Sequence, residues 1–144
     1  MTNTTETADP PYAKPLPRIT ADNAPFFDGL KHGELRLPRC DDCGRFHYPP
    51  GPVCPYCFSE AVEWTPTTGH GTVSSWVVVH KAWFPAFEAE IPYNVVQVEL
   101  DEGPRLTANV IDVAPDELSV GMKVVAIVDT VTPEQYLLRF RRAK

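Results

Sequence analysis

The 144-residue sequence contains no apolar run approaching the roughly 18–20 residues that a membrane-spanning helix needs. A membrane role through helices is therefore not expected. It also lacks an excess of positive charge. The formal net charge is −6, which disfavours a general role on DNA or RNA, where neutralising phosphates supplies most of the affinity. The first ten residues, Met1 to Pro10, have neither the positive nor the apolar region of a secretory leader, so the expected location is the cytoplasm. No serine sits in a Gly-x-Ser-x-Gly elbow, and Ser74 and Ser75 lie in a strand-like stretch instead. No internal repeat is present except one doubled motif.

That motif uses all four cysteines: Cys40-x-x-Cys43 and Cys54-x-x-Cys57, ten residues apart. In a reducing compartment, paired C-x-x-C reads as metal and not as disulfide. Each pair lets two thiolates grip an ion from one tight turn, and two facing turns give a tetrahedral four-sulfur site. Zn²⁺ suits such a site; a rubredoxin-like iron site uses the same four sulfurs and stays open as an alternative. A catalytic zinc keeps a position free for water or substrate. Four cysteines leave none, so the metal is expected to hold the fold. His47 lies between two complete pairs and is expected to pack at the surface without ligating.

The 16 prolines cluster in the N-terminal arm, around the cysteines and at strand borders. Residues 1–19 read as an extended polar arm, either solvated or laid across a partner. A short helix follows, capped by Asp22 or Asn23, with Pro25 in its first turn and Gly33 just past its end. Phe26 and Phe27 give it more apolar surface than an isolated helix tolerates, so either the barrel or another protein covers them. Glu34 to Pro38 alternates as a brief strand leading into the first cysteine pair.

From Trp64 onward the pattern is of strands. The first is Thr72–His80, with Val73, Val77 and Val79 expected on one face. The second is Tyr93–Leu100, with Val96, Val98 and Leu100 inward. The third, Arg105–Ile111, shares Leu106, Ala108 and Val110 on one face. A helical turn within 114–121 precedes the fourth and fifth strands, Lys123–Asp129 and Tyr136–Phe140. The expected fold is mainly β: an N-terminal helix and four-cysteine zinc ribbon (20–62), then a five-stranded OB-fold barrel (63–144). Glycines at 69 and 71 would let the first strand bend around such a barrel. An SH3-like barrel has the same strand count.

Among groups that do chemistry, only His80 stands out. It closes the first barrel strand and precedes the loop Lys81-Ala-Trp83-Phe84-Pro-Ala-Phe87, placed where an OB-fold has a binding loop. The aromatics of this loop either fold back as a lid or meet a partner or an acyl chain. Two groups of basic residues, Arg36/Arg39/Arg45 and Arg139/Arg141/Arg142/Lys144, are the places where phosphates could be held.

Taken in order, several stretches carry a resemblance: Phe26–Leu35, Arg39–Cys57, Gly69–Val73, Val98–Gly103 and Val120–Val124. The chain resembles the acyl-CoA-associated family of small proteins in which a rubredoxin-like zinc ribbon joins an OB-fold, over about residues 23–143. The resemblance implies a partner subunit with no catalytic residues of its own. Its expected partner is a thiolase-like enzyme of the lipid-transfer-protein type, in a hetero-tetramer with two copies of each chain. The substrate of the complex would be a CoA thioester, cleaved by retro-aldol or thiolytic chemistry as in steroid side-chain or aromatic degradation. Zn²⁺ would be structural, on Cys40, Cys43, Cys54 and Cys57. Phe26, Phe27, His80, Lys81, Trp83, Phe84 and Phe87 are the residues expected to meet the partner or acyl-CoA. The alternative reading is a nucleic-acid-binding module, since OB-folds and zinc ribbons both occur in that role.

Overall fold

The computed structural model describes residues 12–144. The first eleven residues of the expected arm lie outside the described residues. Helix α1 spans Ala24–Lys31 with Pro25 in its first turn. Asn23 precedes it, but its side chain points backward: Oδ1 accepts from the Thr20 amide at 2.7 Å and Nδ2 donates to the Arg18 carbonyl at 3.1 Å. Asn23 therefore ties the end of the arm to the start of the helix. The far end is a Schellman turn, with Gly33 N–H on Leu30 O and Glu34 N–H on Gly29 O. Phe26 and Leu30 are buried, and the Phe26 ring meets Phe27 edge-on at 5.2 Å. Of the two covers left open for this helix, the chain itself supplies one for Phe26.

Strand β1 (Arg36–Cys40) leads into the first cysteine pair and pairs antiparallel with β2 (Val62–Pro66), Arg36 opposite Pro66 and Cys40 opposite Val62. These two strands are the stem of the ribbon. The sequence reading has no strand at 62–66; its Val-Glu-Trp-Thr-Pro segment is short and its partner lies more than twenty residues away. Leu35 and Leu37 are buried, Arg36 is half-buried and Arg39 is exposed.

The other five strands are β3 (His70–Val79), β4 (Tyr93–Leu100), β5 (Arg105–Ala108), β6 (Lys123–Thr132) and β7 (Gln135–Arg142). They form one antiparallel sheet in the order β5-β4-β3-β6-β7. A parallel bridge of Val110 with Phe140 brings the two outer strands together, backed by Ile111 N–H on Phe140 O (2.8 Å) and Phe140 N–H on Asn109 O (2.9 Å). The result is a nearly closed five-stranded barrel. Val96, Val98 and Leu100 point inward, as their alternation implies, and meet Val73, Leu106, Val124 and Phe140 in the core.

Two parts of the strand reading are corrected. β5 ends at Ala108, not at Ile111. There Asn94 substitutes for a strand neighbour: its side chain donates to Val110 O and accepts from Val110 N–H, both at 2.8 Å. The second correction concerns β3. Val73 is buried but Val77 is 60% exposed, because a bulge between Val73 and Ser75 inserts one residue against β4. Val73 then faces Val98 and Trp76 faces Val96, so the inward phase slips by one. Ser74, at the bulge, donates its hydroxyl to Gln97 O at 3.0 Å. Gly71 sits just before it, where a Cβ would meet Val98 Cγ1 at 2.6 Å and Glu99 O at 2.8 Å. Any side chain would push β3 and β4 apart at this bend.

Candidate metal centre and partner surface

The ribbon stem delivers Cys40 at the end of β1, and each C-x-x-C closes as a tight turn. Gly44 N–H returns to Cys40 O at 2.8 Å, and Phe58 N–H to Cys54 O at 2.9 Å. The Ser59 hydroxyl, bonded to the Asp42 carboxylate, links the two turns. All four sulfurs then lie within 4.8 Å of one another. Cys40 and Cys57 approach to 3.5 Å, and Cys43 and Cys54 to 3.7 Å. Tetrahedral zinc–thiolate geometry at a Zn–S distance of about 2.3 Å requires sulfur pairs about 3.8 Å apart, so the donor set fits the ion in number, softness and spacing. The Cys43 N–H points at Cys40 Sγ (3.5 Å), and the Tyr56 N–H at Cys54 Sγ (3.4 Å). Such amide donors favour thiolates over thiols. The backbone amide of Cys43 is the main cause that brings the Cys40 thiol down to about 7. The Ser59 amide pulls Cys57 in the same direction, yet crowding by Cys40 and desolvation push it up to about 12. Four sulfurs this close need a cation between them before all can ionise.

His47 is corrected from a surface position to an interior one. It is 3% exposed, and neither ring nitrogen has a hydrogen-bond partner among the described residues. Burial lowers its pKa, which keeps the ring neutral. It is not among the residues whose donor atoms converge at the four-sulfur cluster.

The residues expected to meet a partner divide into three groups. Phe26 is in the core. Phe27 is half-buried and lines a shallow cavity with Ile19, Lys31 and Tyr136. The third group is on the loop after β3, where His80 and Lys81 are exposed and Lys81 stands 4.3 Å over the Trp83 ring. Trp83 (69% exposed) and Phe84 (53%) face outward. Phe87 folds back from a short 3-10 turn (Pro85–Phe87) onto Tyr93, 5.7 Å between ring centres. Within one loop, Phe87 thus packs back against the barrel while Trp83 and Phe84 face outward. Beneath Phe87 opens a cavity of about 520 Å³ on the outer face of the barrel, bordered by Tyr93, Asn109, Leu137 and Arg139 and by Tyr12 and Lys14 of the arm. Lys14 bonds both oxygens of the Glu90 carboxylate at 2.9 Å and pins the arm there.

The basic groups are less available to phosphate than their sequence suggests. Arg36 is paired with Glu34 (2.7 Å) and Asp28 (3.2 Å), Arg139 with Asp129 (3.3 Å) and Arg142 with Glu117 (3.4 Å). Arg39 and Arg45 instead lie over Phe46 and Tyr56, at 5.5 and 4.8 Å. No helix among the described residues is long and apolar enough to cross a membrane.

A four-sulfur ribbon stem joined to a five-stranded barrel defines the class: a zinc-ribbon/OB-fold protein. Family models agree in both halves, matching the ChsH2 rubredoxin-like zinc ribbon domain over residues 27–63 and the ChsH2 C-terminal OB-fold domain over 64–129. The chain belongs to the ChsH2 (DUF35) family. In a solved structure described as the Ltp2-ChsH2(DUF35) aldolase, one chain is 41% identical, superposes with a TM-score of 0.81, and is 99% covered by 89% of this one. A probable enoyl-CoA hydratase alpha subunit of Thermomonospora curvata is 41% identical over 141 residues, 97% of this chain. A 3-oxo-4,17-pregnadiene-20-carboxyl-CoA hydratase alpha subunit of Mycobacterium tuberculosis is 34% identical over 114 residues, 79% of this chain. This chain spans 44% and 36% of the lengths of those two hydratase subunits.

Proposed function

We propose that this chain is the non-catalytic, zinc-binding subunit of a hetero-oligomeric thiolase-fold enzyme acting on acyl-CoA. The observation that carries the reading is the near-complete coverage of the DUF35 chain of an aldolase at 41% identity and a TM-score of 0.81. Zinc on Cys40, Cys43, Cys54 and Cys57 holds the ribbon. The partner supplies nucleophile and acid–base groups for carbon–carbon cleavage, retro-aldol or thiolytic. The small subunit supports it and helps form the acyl-CoA site with the loop bearing Trp83, Phe84 and Phe87. That loop suits the task because it places exposed aromatic surface beside a cavity on the outer face of the barrel. Two copies of each chain make the complex, and steroid or aromatic acyl groups are the substrate class.

The test is co-expression with the thiolase-like chain encoded nearest to it. Co-purification at equal stoichiometry, with cleavage activity that the thiolase-like chain lacks when alone, is the expected result. A thiolase-like chain that is stable and fully active alone, and never co-purifies, overturns the reading. A second reading follows from the T. curvata and M. tuberculosis relatives: the same module could serve a hydratase. Co-purification with a hydratase-type chain in place of the thiolase-like one would select it.

A further inference from the structure

Residues 12–18 of the arm run from the loop after β3 to the start of α1. Pro15 borders the cavity beneath Phe87 with Leu137 and Arg139, and Pro17 borders the neighbouring cavity with the same two residues. The segment is held at its two ends. Near α1, Nδ2 of Asn23 donates to the Arg18 carbonyl at 3.1 Å. At the loop, the Lys14 ammonium donates to both Glu90 carboxylate oxygens at 2.9 Å. It also stands 5.5 Å from the centre of the Tyr12 ring and 5.7 Å from that of Phe87. The Glu90 hydrogen bond is the main cause that raises the Lys14 pKa. Between these ends the arm has little hold: Ala13, Pro15 and Leu16 are exposed, and no backbone–backbone hydrogen bond among the described residues involves 12–19. A segment with few buried contacts opens locally, starting at its weaker end. Here that end is an ion pair near the surface, a weak contact that salt screens.

The loop side of the contact is a compact fold-back. Phe87 N–H donates to Phe84 O at 2.9 Å, and the Glu90 and Ile91 amides return to Phe87 O at 2.9 and 3.2 Å. Lys14 touches this fold-back at two of its side chains, Phe87 and Glu90, and so holds it from outside. The same lysine, with Tyr12 and Pro15, makes one wall of the cavity of about 520 Å³. The charges there are matched in pairs, Lys14 with Glu90 and Arg139 with Asp129. Losing the first pair removes that wall and leaves Glu90 without its cation. Proline at 15 and 17 fixes φ at both positions, which limits the shapes the released arm explores and favours reclosure.

We propose that residues 12–18 are a strap latched by Lys14 on Glu90, and that release of this one ion pair opens the cavity and loosens the 84–91 segment together. The device belongs to this chain alone and does not depend on the function proposed above. It adjoins Trp83 and Phe84, so the arm sets how firmly the base of that aromatic face is held.

The test uses the full zinc-loaded chain without a partner. Chymotrypsin cleaves after Tyr12, beside the latch, so the initial rate of cutting at Tyr12–Ala13 reads the arm. Hydrogen exchange at the Phe87, Glu88, Glu90 and Ile91 amides reads the loop. Lys14→Glu sets two like charges against each other and should speed both by ~5-fold or more, the scale of an ion pair with its cation–π contact. Glu90→Gln, or high salt on the wild type, should speed both by less. The charge swap Lys14→Glu/Glu90→Lys should restore both, with exchange in β4, β6 and β7 unchanged throughout. Faster cutting with unchanged loop amides overturns the coupling. No change in either readout for Lys14→Glu overturns the latch, and a swap that fails to restore them overturns the ion pair as its cause. Each of these results leaves the proposed function standing, since co-purification tests that separately.

Discussion

Between Arg36 and Pro66 the ribbon buries few apolar side chains: Leu37 and Pro38 in the stem, and the two sulfur-bearing Cys40 and Cys54. The barrel buries Val73, Val96, Val98, Leu100, Leu106, Val110, Val124 and Phe140 in one continuous core, which Phe26 and Leu30 of α1 and Leu35 and Leu37 at the base of the ribbon join. A stretch of about 30 residues cannot remove enough apolar surface from water to offset its ordering entropy. The barrel can. The difference teaches where each half gets its cohesion, from a metal site in one and from packing in the other. Tyr56 and Phe58 can stay exposed on the ribbon because the sulfur site, not their burial, keeps the turn in shape.

The comparison is broken most forcefully by removing the metal. Structural zinc sites of this type contribute on the order of 10–16 kcal/mol of apparent binding free energy at neutral pH. Cys40→Ser, or a strong chelator, should therefore release the ion and unfold the ribbon while the barrel keeps its own melting transition. Metal content together with circular dichroism reads both. The second break is in the barrel. Phe140→Ala opens a cavity at a residue with 0% exposure where the two outer strands meet, and should cost roughly 3–5 kcal/mol in denaturant melts without loss of metal. A smaller effect is expected at Asn94. Replacing it with Ala leaves the Val110 N–H and C=O unpaired in the interior, and should cost roughly 2–3 kcal/mol. Faster amide exchange at Val110 would locate the damage at the barrel closure.

The smallest effect sharpens the ribbon side. Burial lowers the His47 pKa in the folded state, so the unfolded chain takes up the proton first. The stability tied to this ring is complete above the unfolded value of about 6.5 and is lost as pH falls from there toward the folded value. His47→Phe should flatten that part of the pH dependence of ribbon unfolding. An unchanged profile would show that the ring titrates as if exposed.

Much of this architecture was legible because its signals are local. The cysteine spacing, the Pro25/Gly33 limits of α1 and the alternation of β4 each depend on residues close in the chain. What escaped depends on distant or conformational facts. β2 exists because Val62–Pro66 pairs with β1 across the whole cysteine loop, and a segment of five residues carries little periodicity of its own. The bulge at Ser74 reverses the inward phase of β3 by one inserted residue, so Val77 reads as core and sits at the surface. Asn94 interrupts an apolar run and looks like a polar exception, whereas its side chain completes the hydrogen bonding that β5 leaves unfinished. At the site, the four ligand positions were readable, but His47 was not: nothing in Arg-Phe-His-Tyr reveals that its ring turns inward. The left-handed backbone at Phe58 had one clue in the sequence, the glycine at the matching place after the first cysteine pair.

The division between a metal-held ribbon and a packing-held barrel is tested most directly by hydrogen–deuterium exchange on the zinc-loaded chain before and after chelation. The account predicts that amides in 36–66 lose protection when the metal leaves, while those of β4, β6 and β7 keep theirs. Loss of protection across the barrel at the same chelator concentration, or an unchanged ribbon after complete metal removal, would contradict it.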